Sequence, residues 1–169
     1  MNTAENCPSG HFAMVTPYIY IGSKEAVLDE NFLESHSIGL IVKCDCESTV
    51  IHRRIPTVSI PDLPDHDYIG LLSADNPLMI FRFVEKCVDL EKRVAMATEQ
   101  IHEAVQQKKR VLVHCWAGIN RSAFTIGMYL KKYQKMPVED ILNLLTEANK
   151  TRGLPVLFNK TFLHVLKTV

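Results

Sequence analysis

The amino-acid sequence predicts a single α/β domain: a central, mostly parallel, twisted sheet of about five strands flanked by helices. Three observations predict it. Short runs rich in β-branched and aromatic residues alternate with segments whose apolar residues recur at steps of three and four. Two of the short runs, Ile38–Val42 and Val111–His114, are almost continuously apolar, the pattern of strands covered on both faces. The length of 169 residues, with 47% hydrophobic and 22% charged, suits one soluble domain with one sizeable core.

The elements follow in order. Residues 1–13 read as a loose N-terminal segment, and residues 14–169 as the folded domain. Val15–Ile21 reads as a strand, with Pro17 placing it near a sheet edge. Ser23 is placed to cap a short helical stretch to about Leu33. Ile38–Val42 is a buried strand. Ile51–Ile60 alternates and predicts one or two short strands, and Pro61–Asp67 is a loop by its Pro and Asp content. Asn76 and Pro77 then open a long helical pattern, from Ile80 through Phe83, Leu90, Val94 and Ile101 to Val105. Its span allows one long helix or two with a bend. After the strand Val111–His114, helices are predicted over Arg121–Tyr133, from Pro137 through Ala148, and around Phe162–Val169 with Asn159 as cap.

Charge narrows the function classes. Nineteen Lys and Arg balance nineteen Asp and Glu. Proteins that grip nucleic acid carry a basic excess, so no nucleic-acid partner is expected. No apolar run approaches the ~18 residues a membrane span needs, and the first ten residues show no signal-peptide pattern. Five cysteines, an odd and irregularly spaced set, predict reduced thiols and a cytoplasmic location, with nuclear entry open by size. Cys44-Asp45-Cys46 with His52 has no evident fourth ligand, so no metal and no cofactor is expected.

The chemistry is concentrated in His114-Cys115-Trp116-Ala117-Gly118-Ile119-Asn120-Arg121-Ser122. A buried strand ends in a cysteine, a short glycine-containing loop follows, and Arg121 opens a helix. Ligands of open α/β sheets bind at the carboxyl ends of strands. A loop entering a helix N-terminus aims backbone N–H groups at an anion, and the same field favours a thiolate. Arg121 adds a planar fork for two phosphoryl oxygens. Cys-x5-Arg alone is a weak signal, but His, Gly and Ser at their places reduce chance occurrence to about one in 30,000.

His114 through Ala123 resembles the HCxxGxxRS signature of the cysteine-based protein tyrosine phosphatase superfamily, in the form seen in its dual-specificity branch. Val15–Ser23 is similar to that family's opening strand, Pro-x-Leu-Tyr-Leu-Gly. Pro155 to Phe162 resembles its Pro-Asn-x-x-Phe, with Asn159 and Phe162 in order and Pro155 displaced. The resemblance implies the cysteine-based phosphatase fold and a phosphocysteine intermediate. It implies Cys115 as nucleophile, Arg121 with Trp116, Ala117, Gly118, Ile119 and Asn120 as the phosphate-binding loop, and Ser122 as partner of the leaving thiolate. His114 and Asn159 are supporting residues. The acid is implied to follow an Ile-Pro-x-x-Asp strand end. Asp62 directly after the Val58–Pro61 segment is the first candidate, with Asp65 and Asp67 in the same loop.

Three details qualify the resemblance. The stretch between this loop and Cys115 is longer than in small members, with the surplus in Pro77–Arg110, where an extra helix could lie beside the site. Arg152 is a candidate rim contact. Trp116 is expected to serve the core or support the loop rather than stack on substrate. The uncharged loop residues suit one phosphate on a protein side chain, so the expectation is a metal-independent phosphatase for phosphotyrosine and phosphoserine/threonine. RNA 5′-triphosphatase, phosphoinositide phosphatase and a non-catalytic phosphate-binding module are the alternatives. The expected partner is a phosphorylated protein, and a monomer is expected.

Overall fold

A computed structural model describes residues 10–73 and 75–169. Its five-stranded sheet comprises β1 (Phe12–Thr16), β2 (Ile19–Gly22), β3 (Ile38–Lys43), β4 (Thr57–Ser59) and β5 (Arg110–His114), in the order β1-β2-β5-β3-β4. Only the β1–β2 pair is antiparallel. The helices are α1 (Glu30–Ser35), α2 (Pro77–Gln106), α3 (Arg121–Gln134), α4 (Val138–Thr151) and α5 (Lys160–Thr168), with short 3-10 turns at Lys24–Leu28 and Ile69–Ser73.

Three segments differ from expectation. Val15–Ile21 is not one strand but the middle of a hairpin, and β1 already begins at Phe12. Pro17 has no N–H to give a ladder and sits in the turn, where Tyr18 N donates to Thr16 Oγ1 at 3.3 Å. The stretch after Ser23 divides into a 3-10 turn and α1, whose own cap is Asp29, accepting from Phe32 N at 3.0 Å. Of Ile51–Ile60 only Thr57–Ser59 forms a strand. His52 holds the preceding turn, accepting from Ile55 N at 3.0 Å, and meets Glu30 at 3.0 Å. Among the described residues no three His, Cys, Asp or Glu side chains converge to hold a metal.

Strand alternation sorts the core. Ile19, Ile21, Leu40, Val42, Val111 and Val113 face the cluster shared with α2–α5, while Tyr20, Ile41 and Leu112 join Phe12, Phe32 and Leu33 on the other face. There Phe12 stacks on Phe32 with ring centroids 3.6 Å apart. Helix α3 is buried at every residue from Arg121 to Leu130, which makes it the central helix. Helix α2 is one unbroken helix, capped by Asn76 Oδ1 accepting from Leu78 N at 3.0 Å. Phe83, Leu90, Val94, Ala97 and Ile101 form its core face. No residue of α2 lines the cleft described below, but α2 touches the aspartate-bearing loop, where Arg93 Nη1 donates to Pro61 O at 3.2 Å.

Register prepares the site. Gly22 on β2, His114 on β5 and Lys43 on β3 lie side by side at the carboxyl edge of the sheet, with Ser59 of β4 next in the row. The loops that leave this edge carry the nucleophile, the acidic loop and Glu47.

Candidate active site

Cys115 leaves β5 at this edge, 3% exposed, and its N–H donates to Gly22 O at 3.3 Å. The four carbonyls that follow all face outward. Trp116 O accepts from Lys24 N at 3.2 Å, and Ile119 O accepts from Leu157 N at 2.9 Å. Ala117 O and Gly118 O each accept from Arg152, at 2.8 Å. Across a planar trans peptide the next N–H points opposite its carbonyl. The amides of residues 117–120 are therefore turned inward, and Gly118 N donates to Cys115 Sγ at 3.2 Å. A concave row of donors at the start of α3 is an anion site.

Gly118 is required by this turn. Its φ is +71°, and a Cβ would stand 2.6 Å from both Gly22 O and Arg152 Nη1. Arg152 is thus not a rim contact. It is a buried brace behind the loop, also bonding Gly10 O at 2.9 Å and Asn149 Oδ1 at 3.0 Å. Asn149 adds a second donor to Gly118 O at 2.8 Å. Sequence reasoning missed Asn149, because nothing in an amphipathic helix marks which polar residue faces inward.

The other expected residues divide. Ser122 Oγ lies 3.4 Å from Cys115 Sγ. Arg121 is 5% exposed beneath the cleft, and its Nη1 donates to both oxygens of Glu47, at 2.7 and 2.9 Å. Burial works against the charge of Arg121, but the Glu47 bonds more than offset it and hold its proton more tightly than usual. The same bonds hold the Glu47 carboxyl below its usual range. Glu47 was not foreseen, since no motif links it to a residue so far along the chain. Asn120 lines the cleft, but its side chain is spent inside the protein, donating to Asp65 at 3.1 Å and accepting from Asn159 N at 3.1 Å.

The aspartates are separated by the fold. Asp65 lines the cleft with Cys115 and Arg121; Asp62 and Asp67 do not. Asp62 occupies a left-handed turn with φ 53° on the exposed side of the loop. Asp67 accepts from Ile69 N at 3.0 Å and from Thr161 Oγ1 at 2.9 Å, and these bonds outweigh burial and lower its pKa. Asp65 is held by two amides, Asn120 on one oxygen and Asn159 on the other at 2.9 Å. Asn159 also caps α5 by accepting from Thr161 N and Phe162 N. The family spacing did not single out Asp65: counted from Ile60, Ile-Pro-x-x-Asp ends on Pro64, and Asp65 stands one residue beyond it.

Trp116 does not serve the core. It is 46% exposed on the cleft wall, with Lys24 Nζ 3.4 Å from its ring centroid, a cation–π contact. Phe158, 62% exposed, belongs to the same cleft, which encloses about 480 Å³. Cys44 is fully buried, and burial pushes its thiol well above the usual range, so it remains protonated.

His114 lies fully buried behind Cys115, and among the described residues neither ring nitrogen has a hydrogen-bond partner; Asp45 Oδ1 is 3.9 Å from Nδ1. Burial lowers its pKa, with Asp45 opposing and Lys43 adding. The folded ring therefore binds a proton less readily than the unfolded one, near 6.5. Stability from this residue is present above about pH 6.5 and falls as pH drops through that value. In a proton NMR titration the His114 ring signal is expected to show its midpoint below the ordinary histidine value of about 6.5. A midpoint at or above the ordinary histidine value would contradict this.

A strand-end cysteine under inward amides, an arginine at the first turn of the following helix and a tethered aspartate define a phosphate-handling site of the cysteine-nucleophile class. The family model "Dual specificity phosphatase, catalytic domain" matches residues 19–168, and the chain belongs to this family. It is 29% identical over 144 residues to the tyrosine-protein phosphatase vhp-1 of Caenorhabditis elegans, covering 83% of this chain and 19% of that protein. It is 29% identical over 128 residues to dual specificity protein phosphatase 18 of Bos taurus, covering 76% and 58%. The chain thus spans only part of the length of these relatives. A mouse putative dual specificity phosphatase complexed with zinc tungstate shares the fold, with a TM-score of 0.72 at 21% identity, covering 99% and 90% of the two chains. So does human DUSP28, with a TM-score of 0.71 at 18% identity, covering 92% and 90%.

Proposed function

We propose that this chain hydrolyses phosphate monoesters on protein tyrosine and serine/threonine side chains, without a metal, through a phosphocysteine. The observation that carries the reading is the arrangement of Cys115 Sγ below inward amides, with Asp65 and Arg121 in one cleft. The Cys115 thiolate attacks phosphorus, an S–P bond forms, and the P–O ester bond breaks. The protonated Asp65 carboxyl gives its proton to the leaving oxygen. Asp65 then takes a proton from water, whose oxygen attacks phosphorus. The S–P bond breaks, phosphate leaves, and the Ser122 hydroxyl donates to the departing thiolate. The loop amides and Arg121 hold the equatorial oxygens throughout.

The cleft lining supports one phosphate on a protein. It holds Arg121 but no lysine, and it includes two carboxylates, Glu47 and Asp65. A triphosphate or a polyphosphorylated head group would meet repulsion there. No helix among the described residues is long and apolar enough to cross a membrane. The four described cysteines are free, which supports placing the chain in a reducing compartment such as the cytoplasm.

Phosphopeptide hydrolysis in EDTA tests the reading. Asp65→Asn is expected to lower kcat about 100-fold, whereas Asp62→Asn stays within about threefold of wild type. An inactive wild type overturns the enzyme, and a larger loss at Asp62 overturns the acid.

A further inference from the structure

The first half of α2 carries more apolar surface than the core takes up. From Pro77 to Leu90 only Phe83 and Leu90 are buried. Ile80, Phe81, Val84 and Val88 are exposed, as is Leu72 on the 3-10 turn that precedes the helix. Steps of three and four place the four helical residues on one side of α2, beside its core stripe. An exposed, contiguous apolar row marks a binding surface.

The row borders a groove. One part, about 320 Å³, runs between α2 and α5, where Leu72, Phe83, Val84, Cys87 and Val88 face His164. Glu91 and Val169 line both this part and a second one of about 350 Å³, between α2 and the end of α3. In the second part Ala95 and Met128 are joined by Lys131, Lys132 and Lys135. Lys131 Nζ donates to Leu166 O at 2.6 Å. Lys132 and Lys135 are exposed, and among the described residues no carboxylate pairs with either. The groove is therefore apolar in one part and basic in the other, with Glu91 at the junction.

We propose that this groove docks an extended segment of a partner protein, apolar at one end and rich in Asp or Glu at the other. Charge complementarity with the lysines selects the acidic end and fixes the direction of the segment. From Val84 to Thr98 α2 rises about 21 Å, at roughly 1.5 Å per residue. About six or seven residues of extended chain cover that length. A second copy of this chain fits poorly. Two-fold pairing would set lysines against lysines with the grooves parallel, and lysines against the apolar row with them antiparallel. A flat bilayer cannot enter a concave groove.

Fluorescence anisotropy on the full chain tests this with two labelled probes. One peptide has three leucines, a serine and three glutamates; the other has lysines for the glutamates. Each is made in both chain directions. In one direction the glutamate peptide is expected to bind at least about tenfold more tightly than its lysine counterpart. Val84→Gln with Val88→Gln should weaken it about tenfold. Lys132→Glu with Lys135→Glu should invert the preference, while Lys131 is left in place to hold the end of α5. All four changes lie on exposed positions, so melting temperatures should stay near wild type. The wild-type comparison of the two peptides stands even where a variant is unstable. Equal binding of the two peptides, or a glutamate preference that survives charge reversal, overturns the proposal. So does the absence of saturable glutamate-peptide binding up to about 1 mM. Sedimentation and anionic vesicles test the other occupants. Self-association released by the Val84 and Val88 changes, or vesicle binding in place of peptide binding, overturns it as well.

Discussion

Cys115→Ser is expected to lower phosphopeptide hydrolysis by about 10⁴-fold or more, in a protein that remains folded. A serine hydroxyl stays protonated where a thiol ionises, so attack on phosphorus would require a general base beside it. The hydrogen-bond partners of Cys115 Sγ are the Gly118 amide and the Ser122 hydroxyl, and neither serves as a base. Serine nearly fills the volume of cysteine, so the loop and its outward carbonyl bonds should persist. Without a thiolate facing the anion, tungstate should bind at least as tightly as to wild type. Turnover assays, calorimetry and thermal melting on the same preparation check all three. Hydrolysis within tenfold of wild type would remove Cys115 from the reaction.

Arg121→Lys comes next in size, with an expected loss of about 10²–10³-fold in kcat/KM. Lysine retains the charge but not the plane. It is a point donor on a flexible stem, and it cannot hold Glu47 with one nitrogen while presenting a two-nitrogen edge to phosphate. The loss should fall on kcat as well as KM, because charge on the equatorial oxygens must be held in the transition state. Glu47 is half exposed, so water can solvate it once the partner is lost, and the melting temperature should change little. A loss below tenfold would show that charge alone, not the shape of the fork, serves the substrate.

The central chemistry was legible in the chain because it is local. The amides of residues 117–120, the thiol of Cys115 and the start of α3 lie within a few residues of one another, and their geometry follows from a strand, a turn and a helix in succession. The buried strands and the capped helices were legible for the same reason: their periods and caps are written in neighbouring residues. Less legible were short elements with ambiguous patterns. The hairpin at Pro17 looked like one strand because both arms are rich in β-branched and aromatic residues. The alternation of Ile51–Ile60 found strand pairing at three residues only.

Contacts between distant positions account for the rest. Arg121 meets Glu47 across 74 positions, Asn159 meets Asp65 across 94, and Arg152 meets Gly118 across 34. No periodicity records such pairs. They exist because parallel register sets Gly22, His114, Lys43 and Ser59 in one row, so that loops far apart in the chain leave the sheet at a common edge. The zero net charge of the chain accordingly says little about its affinity for anions. Composition and local pattern were enough for the α/β class and for the strand-loop-helix segment that carries Cys115. Which aspartate lines the cleft, that Arg152 braces the loop and that Glu47 holds Arg121 were decided by packing, because a side chain's partners are set by where the sheet edge delivers each loop.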